Sequence, residues 1–351
     1  MAASCRPGFR IFRLFRVPFL RTFYQTGLKR AYPCVLKSPF VFGHCRGIVP
    51  RTAVLAGVLS FLGLGESKEE DTLIVTIKMG ILNLQQQDYK KAESILHVAL
   101  KMAQERMDPQ AETYIFDILA NVAYEKGEYS KAEKLFIDVM QRMISSGTPR
   151  DDNSIVEMSL KLAQIYSQTK DVEKAEQGFQ FCIDMQLKKL EGIDYADSAV
   201  KLTDAETNNL VLWAMSMEGY GRYLLEQTRF QKARECFEQA LKVSERVNGP
   251  LHEVTLALLN DIGAVAALLQ DYNTAIALLR ETIARAQSIH SPELAAFYCN
   301  LGGIFMEQGQ DLEEAKQACT KASKLAKSTN HREAAARSLE CLEELRKHAT
   351  V

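Results

Sequence analysis

Along residues 72–328 the apolar side chains recur at spacings of three and four, not in the alternation of a half-buried strand. The stretch 221–249, GRYLLEQTRFQKARECFEQALKVSERVNG, shows the pattern clearly. Leu224 and Leu225 close one helical pattern, Thr228, Arg229 and Phe230 turn the chain, and Ala233, Phe237 and Ala240 open the next. Those three share a helix face, two of them small where a neighbouring helix comes close and one aromatic filling the gap between. The unit is a helix–turn–helix, and the chain repeats it.

The same triplet recurs as Ala92/Leu96/Ala99, Ala132/Phe136/Val139, Ala175/Phe179/Cys182, Ala275/Leu279/Ile283 and Ala315/Cys319/Ala322. Twelve residues before each anchor alanine stands a small residue: Gly80, Ala120, Ala163, Gly221, Gly263 and Gly303. Three residues before it lies an apolar turn residue (Tyr89, Tyr129, Val172, Phe230, Tyr272, Leu312), preceded by Asp or Glu in five of six units. The register makes Ala92, Ala132, Ala175, Ala233, Ala275 and Ala315 the packing positions of six antiparallel helix pairs.

This pattern resembles the tetratricopeptide repeat family in the second helix and departs from it in the first. The family's first-helix Trp is absent, Cys299 holding its place in the sixth unit, and the Pro after the second helix is missing. Anchor spacings of 40, 43, 58, 42 and 40 exceed the ~34 of the standard unit. Longer helices explain about forty, and the 58 requires an insertion near 187–209, where 196–210 is free to lengthen the following helix backward. The expectation is an all-α, right-handed α-solenoid of about six helix pairs. A C-terminal capping helix follows, starting near Asn330 and Glu333 and burying a Leu339/Leu342/Leu345 stripe.

Charge changes the picture at the N-terminus. The first 65 of 351 residues hold ten Lys and Arg and no acid, leaving 33 of the 43 basic residues against all 44 acidic ones, a net −11. In GFRIFRLFRVPFL, residues 8–20, Arg10, Arg13 and Arg16 oppose Ile11, Phe12, Leu14 and Phe15. An arginine-rich, acid-free amphipathic leader reads as a mitochondrial presequence, assigned to 1–47. A basic RNA-binding arm is disfavoured because its clusters interleave with polar residues rather than Phe and Leu, so no nucleic acid is expected. Residues 48–65 are a short apolar segment. Its uncharged core, 52–65, reaches ~21 Å as a helix against a hydrocarbon thickness of ~30 Å. Hydropathy alone leaves it either a marginal membrane anchor or a removed or flexible linker. An acidic linker, 66–71, leads into a solenoid spanning 72–351.

Chemistry is sparse. The eight cysteines contain no Cys-x2-Cys pair, and Cys182 and Cys319 fall on packing positions, where a small buried hydrophobe is the default. No histidine pair has metal spacing, no glycine-rich phosphate loop occurs, and no nucleophile–base pair is evident. No catalytic, metal or cofactor site is expected. In a tetratricopeptide solenoid the first helices line a groove, and the register makes Asp117, Asn121, Lys161, Gln164, Glu218, Arg222, Asn260 and Asn300 its candidate partner-binding residues. Co-chaperones of the family hold a terminal carboxylate with a Lys and Asn set. Here the matching Lys positions read Ile77, Asp117 and Leu160, which argues against that activity.

Residues 117–136 (DILANVAYEKGEYSKAEKLF), 152–166 (DNSIVEMSLKLAQIY), 178–183 (GFQFCI) and 290–309 (HSPELAAFYCNLGGIFMEQG) go beyond the generic repeat. They are similar to the mitochondrial tetratricopeptide repeat protein 19 family. The resemblance implies a non-enzymatic inner-membrane scaffold whose partners are respiratory complex III and its Rieske iron–sulfur subunit, supporting the complex and clearing Rieske fragments. The apolar segment behind the leader sits where a transfer stop would, which makes the intermembrane space the expected side of the solenoid, with full entry into the matrix as the alternative. Units of about forty residues also resemble the cargo-binding repeats of kinesin light chain, a cytosolic adaptor. The coiled coil expected ahead of those repeats is missing, and the arginine-rich leader argues against that reading.

Overall fold

The computed structural model describes residues 71–195 and 200–349. The leader, the apolar segment, all but the last residue of the acidic linker and part of the insertion lie outside the described residues. Thirteen α-helices and no strand occur among the described residues. They fall into two compact units, 71–158 and 159–349, with the boundary inside one helix. The fold is an all-α repeat of helix pairs.

The first unit holds α1 (Thr72–Gln85), α2 (Tyr89–Glu105), α3 (Pro109–Glu125), α4 (Tyr129–Ser145) and the start of α5 (Asn153–Gln168). Its core joins Leu73 and Ile77 of α1, Leu96 of α2, and Ile115, Ile118 and Leu119 of α3. The second unit continues α5 and adds α6 (Val172–Leu190), α7 (Asp204–Glu226), α8 (Phe230–Asn248), α9 (Glu253–Leu268), α10 (Tyr272–Ser288), α11 (Leu294–Gln308), α12 (Leu312–Ser328) and α13 (Arg332–Ala349). Within each unit a helix packs on its neighbours in sequence, and α9 also reaches α11, as α11 reaches α13.

Local chemistry explains why the chain folds back so regularly. Each of the twelve turns between described helices contains one residue with φ between 53° and 98°. Such a left-handed residue ends a helix and releases the chain for the next. The acidic residue ahead of the turn's apolar residue is the N-cap: Asp88, Asp171, Asp271 and Asp311 each accept a backbone N–H three residues on. Glu128 at the same place makes no such bond. Pro109 opens α3, where its missing N–H costs nothing.

The triplet residues of all six second helices are buried, with exposures of 0–6%. Close approach is visible at the facing glycines. A Cβ on Gly221 would lie 2.9 Å from the Phe237 ring, and one on Gly80 would lie 2.7 Å from Leu96.

Three sequence expectations change. In the sixth pair it is Gly302, not Gly303, that faces the second helix, a Cβ there falling 2.3 Å from Cys319 Sγ. The reason is one extra residue, Gln310, between the left-handed Gly309 and the Asp311 cap, which shifts the register by one. At the C-terminal helix the cap is His331, whose Nδ1 accepts the Ala334 N–H, while Asn330 supplies the left-handed turn. The buried stripe there is Ala334, Ser338 and Leu345 with half-buried Cys341; Leu339 is 49% exposed. The third change concerns the insertion. Rather than extending α7 back to 196, the chain starts that helix at Asp204, where Thr203 and Glu206 form a reciprocal capping box. Buried Trp213 meets Tyr195 of the insertion at 5.8 Å between ring centroids.

Candidate functional site

Helices α7, α9, α11 and α13 of the second unit carry polar residues at equivalent depths of successive pairs, and these residues meet. On α7, Glu218 and Arg222 stand one turn apart, so Arg222 Nε donates to Glu218 Oε1 at 2.7 Å. The other end of the guanidinium crosses to α9 and donates to Asp261 Oδ2 at 2.8 Å. Asn260 Nδ2 lies 3.3 Å from Asp261 Oδ1, and its own Oδ1 accepts from Asn300 Nδ2 of α11 at 2.6 Å. Arg337 of α13 donates to Asn300 Oδ1. Four helices are thereby linked by one continuous polar ladder.

The ladder is internal. Glu218, Asn260, Asp261 and Asn300 are 0–6% exposed, while the Arg222 side chain keeps 24% and Arg337 is half-buried. Burial pushes the Glu218 carboxyl above its ordinary value, and Arg222 only partly offsets this. The same holds for Asp261, where burial again outweighs Arg222 and Asn260. Burial works against charge on Arg222, but the facing Asp261 and Glu218 prevail and raise its pKa. A fork donor serving two buried acids from two helices fixes their spacing, which suits arginine's planar geometry and not a lysine's. The arrangement holds charges in place and exposes an arginine edge toward each end. Among the described residues, no three His, Cys, Asp or Glu gather as a metal site would require.

The remaining groove candidates lie on α3 and α5. Lys161 is 6% exposed and Gln164 is half-buried, both on the second unit's part of α5. In the first unit Asn121 is fully buried and turns back on its own helix, donating to the Asp117 backbone carbonyl at 2.8 Å and lying 3.3 Å from its carboxylate. Of the eight residues, Glu218, Arg222, Asn260 and Asn300 come together in the ladder. Asp261 and Arg337 complete the ladder, and repeat register alone did not single them out. Asp261 follows Asn260 directly, and Arg337 lies 37 residues after Asn300, close to the repeat period. That spacing was the signal available.

Comparison with known proteins agrees with the fold. Tetratricopeptide repeat family models match residues 212–288 and 295–329. The mitochondrial tetratricopeptide repeat protein 19 homolog of Drosophila melanogaster is 31% identical over 299 residues, covering 83% of this chain and 77% of that relative. The Homo sapiens protein of the same name is 30% identical over 265 residues, covering 75% and 70%. The Mus musculus protein is 30% identical over 292 residues, covering 81% and 79%. Among solved structures, a Rap protein complexed with competence and sporulation factor superposes with a TM-score of 0.55 at 14% identity, covering 85% of this chain and 80% of that one. BtubC from P. vanneervenii gives 0.53 at 16% identity, covering 74% and 93%. These two share the fold alone.

Proposed function

Because the chain belongs to the mitochondrial tetratricopeptide repeat protein 19 family, we propose that it is a non-enzymatic scaffold of the inner mitochondrial membrane. In this reading it binds assembled respiratory complex III and promotes clearance of Rieske iron–sulfur subunit fragments. The observation that carries the reading is similarity to that family over 83% of the chain, far beyond the generic repeat. The leader supports it: the first 65 residues hold ten basic residues and no acid, the character of a mitochondrial import signal. The apolar 48–65 segment behind that leader stops transfer and leaves the repeats on the intermembrane side, beside the mobile head of the Rieske subunit. The groove lined by the first helices, where Glu218, Arg222, Asn260 and Asn300 gather, is the partner surface.

Import of the full chain into isolated mitochondria, followed by protease treatment with the outer membrane opened, tests the placement. The repeats are digested if they face the intermembrane space and persist until detergent is added if they lie in the matrix. Affinity purification from the same mitochondria tests the partner. Recovery of complex III subunits is expected, and a preparation from which they are absent refutes that assignment.

A further inference from the structure

The C-terminal end of the second unit is built differently from the rest. The residues α12 buries are Ala315, Ala318, Cys319, Ala322, Ser323 and Ala326, all of them small. The central triplet position is Leu or Phe in the other five pairs and Cys319 here. Against this face α13 buries Ala334, Ser338 and Leu345. Burial of apolar area is the main force holding a terminal helix in place, and such small side chains supply little of it. A terminal helix packed so thinly needs another tie.

Cys319 and Cys341 supply one. Their Cα atoms are 6.3 Å apart and their sulfurs are joined in a disulfide closing 22 residues of chain. The Cα separation is one that a disulfide spans without moving backbone. Gly302 of α11 makes room for the bridge, since any side chain there would collide with Cys319 Sγ. Met306 Sδ, also on α11, lies 3.3 Å from Cys341 Sγ, so the sulfur pair touches three helices. The other cysteines of the described residues are insulated from such chemistry. Cys182, Cys236 and Cys299 are buried, and burial pushes their thiols up to about 12, 12 and 11. These three are free cysteines, without the disulfide that joins Cys319 to Cys341.

We propose that Cys319 and Cys341 are a reversible thiol–disulfide modification site that decides whether α13 is docked on the last helix pair. Cys319 is fully buried and Cys341 half-buried, so a disulfide-bearing donor such as glutathione disulfide enters at Cys341. The Cys341 thiolate attacks one donor sulfur, forming a mixed disulfide and releasing one donor thiol. The Cys319 thiolate then attacks the Cys341 sulfur and releases the second. Two protein thiols and one donor disulfide become one protein disulfide and two donor thiols, the two protons passing by way of solvent from the protein sulfurs to the donor sulfurs. Excess thiol reverses the sequence. The oxidised state belongs to an oxidising compartment, and the site stands whether or not complex III is the partner.

The test uses the full chain equilibrated with glutathione disulfide or with excess dithiothreitol. After oxidation and alkylation in denaturant, mass spectrometry is expected to find the Cys319 and Cys341 peptides linked and Cys182, Cys236 and Cys299 alkylated. Hydrogen exchange of 332–349 is expected to accelerate at least about tenfold on reduction while that of α9 and α10 is unchanged. Cys341→Ser, at a half-buried position, is expected to exchange like the reduced protein and to ignore reductant. Cys319→Ala provides a second variant without a buried polar group and is expected to match it. Failure to recover the linked peptide after oxidation overturns the proposal. So does exchange over 332–349 that is equal in oxidised, reduced and both variant proteins.

Discussion

The ion pairs that tie helices together in the two units differ in depth. In 71–158 the links lie at the surface: Glu93 of α2 accepts from Lys126 at 2.8 Å and Lys131 at 2.5 Å, and Arg106 pairs with Asp71 at 2.6 Å. Hydrogen bonds from Lys126 and Lys131 hold the Glu93 carboxyl down at about 2. In 159–349 surface pairs such as Arg229 with Glu176 recur, but the buried ladder is added to them, and there burial drives Glu218 and Asp261 the other way. The same residue types therefore act with opposite sign according to depth. Solvated pairs keep carboxylates charged at little cost, and desolvated ones make each charge expensive unless its partner stays.

The sharpest way to break this contrast is to remove one cation from each unit. Arg222→Met leaves Glu218 and Asp261 buried without their shared donor and is expected to cost about 3–5 kcal/mol. Lys126→Met leaves Glu93 near solvent with Lys131 still beside it and is expected to cost less than about 1 kcal/mol. Denaturant titration of both variants is the check, and equal losses refute the distinction.

Packing offers the next comparison. Gly302→Ala drives a methyl onto a sulfur fixed by its bond to Cys341, with the Ala315 carbonyl of the same helix 3.3 Å away. A loss of about 2–3 kcal/mol is expected. Gly80→Ala meets the end of the Leu96 side chain, which is able to rotate, and gains helix propensity, for a net cost of about 1 kcal/mol or less. Thermal melting of the two variants separates them.

The pH dependence differs in sign and is smaller. Glu93, lowered from 4.5 to about 2, contributes stability that is present above 4.5 and lost as pH falls through 2. Glu218 and Asp261 are raised above 4.5 and 3.8, so what they contribute is fully present below those values and declines as pH rises past them. Hydrogen exchange resolved by unit is expected to show protection in 71–125 rising between pH 2 and 4.5, with Glu93→Gln removing most of that rise. In 204–268, Glu218→Gln is expected to reduce the decline above pH 4.5. A common slope in both units refutes this account.

Leu339→Lys is the mildest change. It replaces a half-exposed side chain off the α13 stripe and is expected to alter stability by no more than about 0.5 kcal/mol. A large loss by thermal melting means that α13 packs through the Leu339/Leu342/Leu345 face after all.

Much of this molecule was readable before folding. Alternating large and small residues at Ala233, Phe237 and Ala240 announce a helix pair, because 3.6 residues per turn place them on one face whatever lies around them. Asp88 or Asp271 announces a helix start because a cap bonds only to its own first turn. These are local facts, and sequence spacing contains them. The same register brought Glu218, Arg222, Asn260 and Asn300 forward as one class of residue.

Tertiary structure alone decided what that class does. Whether a polar side chain at such a position meets solvent or its counterpart on the next pair depends on interhelix distance, which spacing does not encode. Arg222 bridges two buried carboxylates because α7 and α9 stand close enough for one guanidinium to reach both. Cys319 and Cys341, 22 residues apart with no motif between them, become partners because one extra turn residue at Gln310 shifts Gly302 beneath them. A turn, a cap and a helix face are set by bonds within a few residues of chain. A ladder and a disulfide are set by where whole helices come to rest.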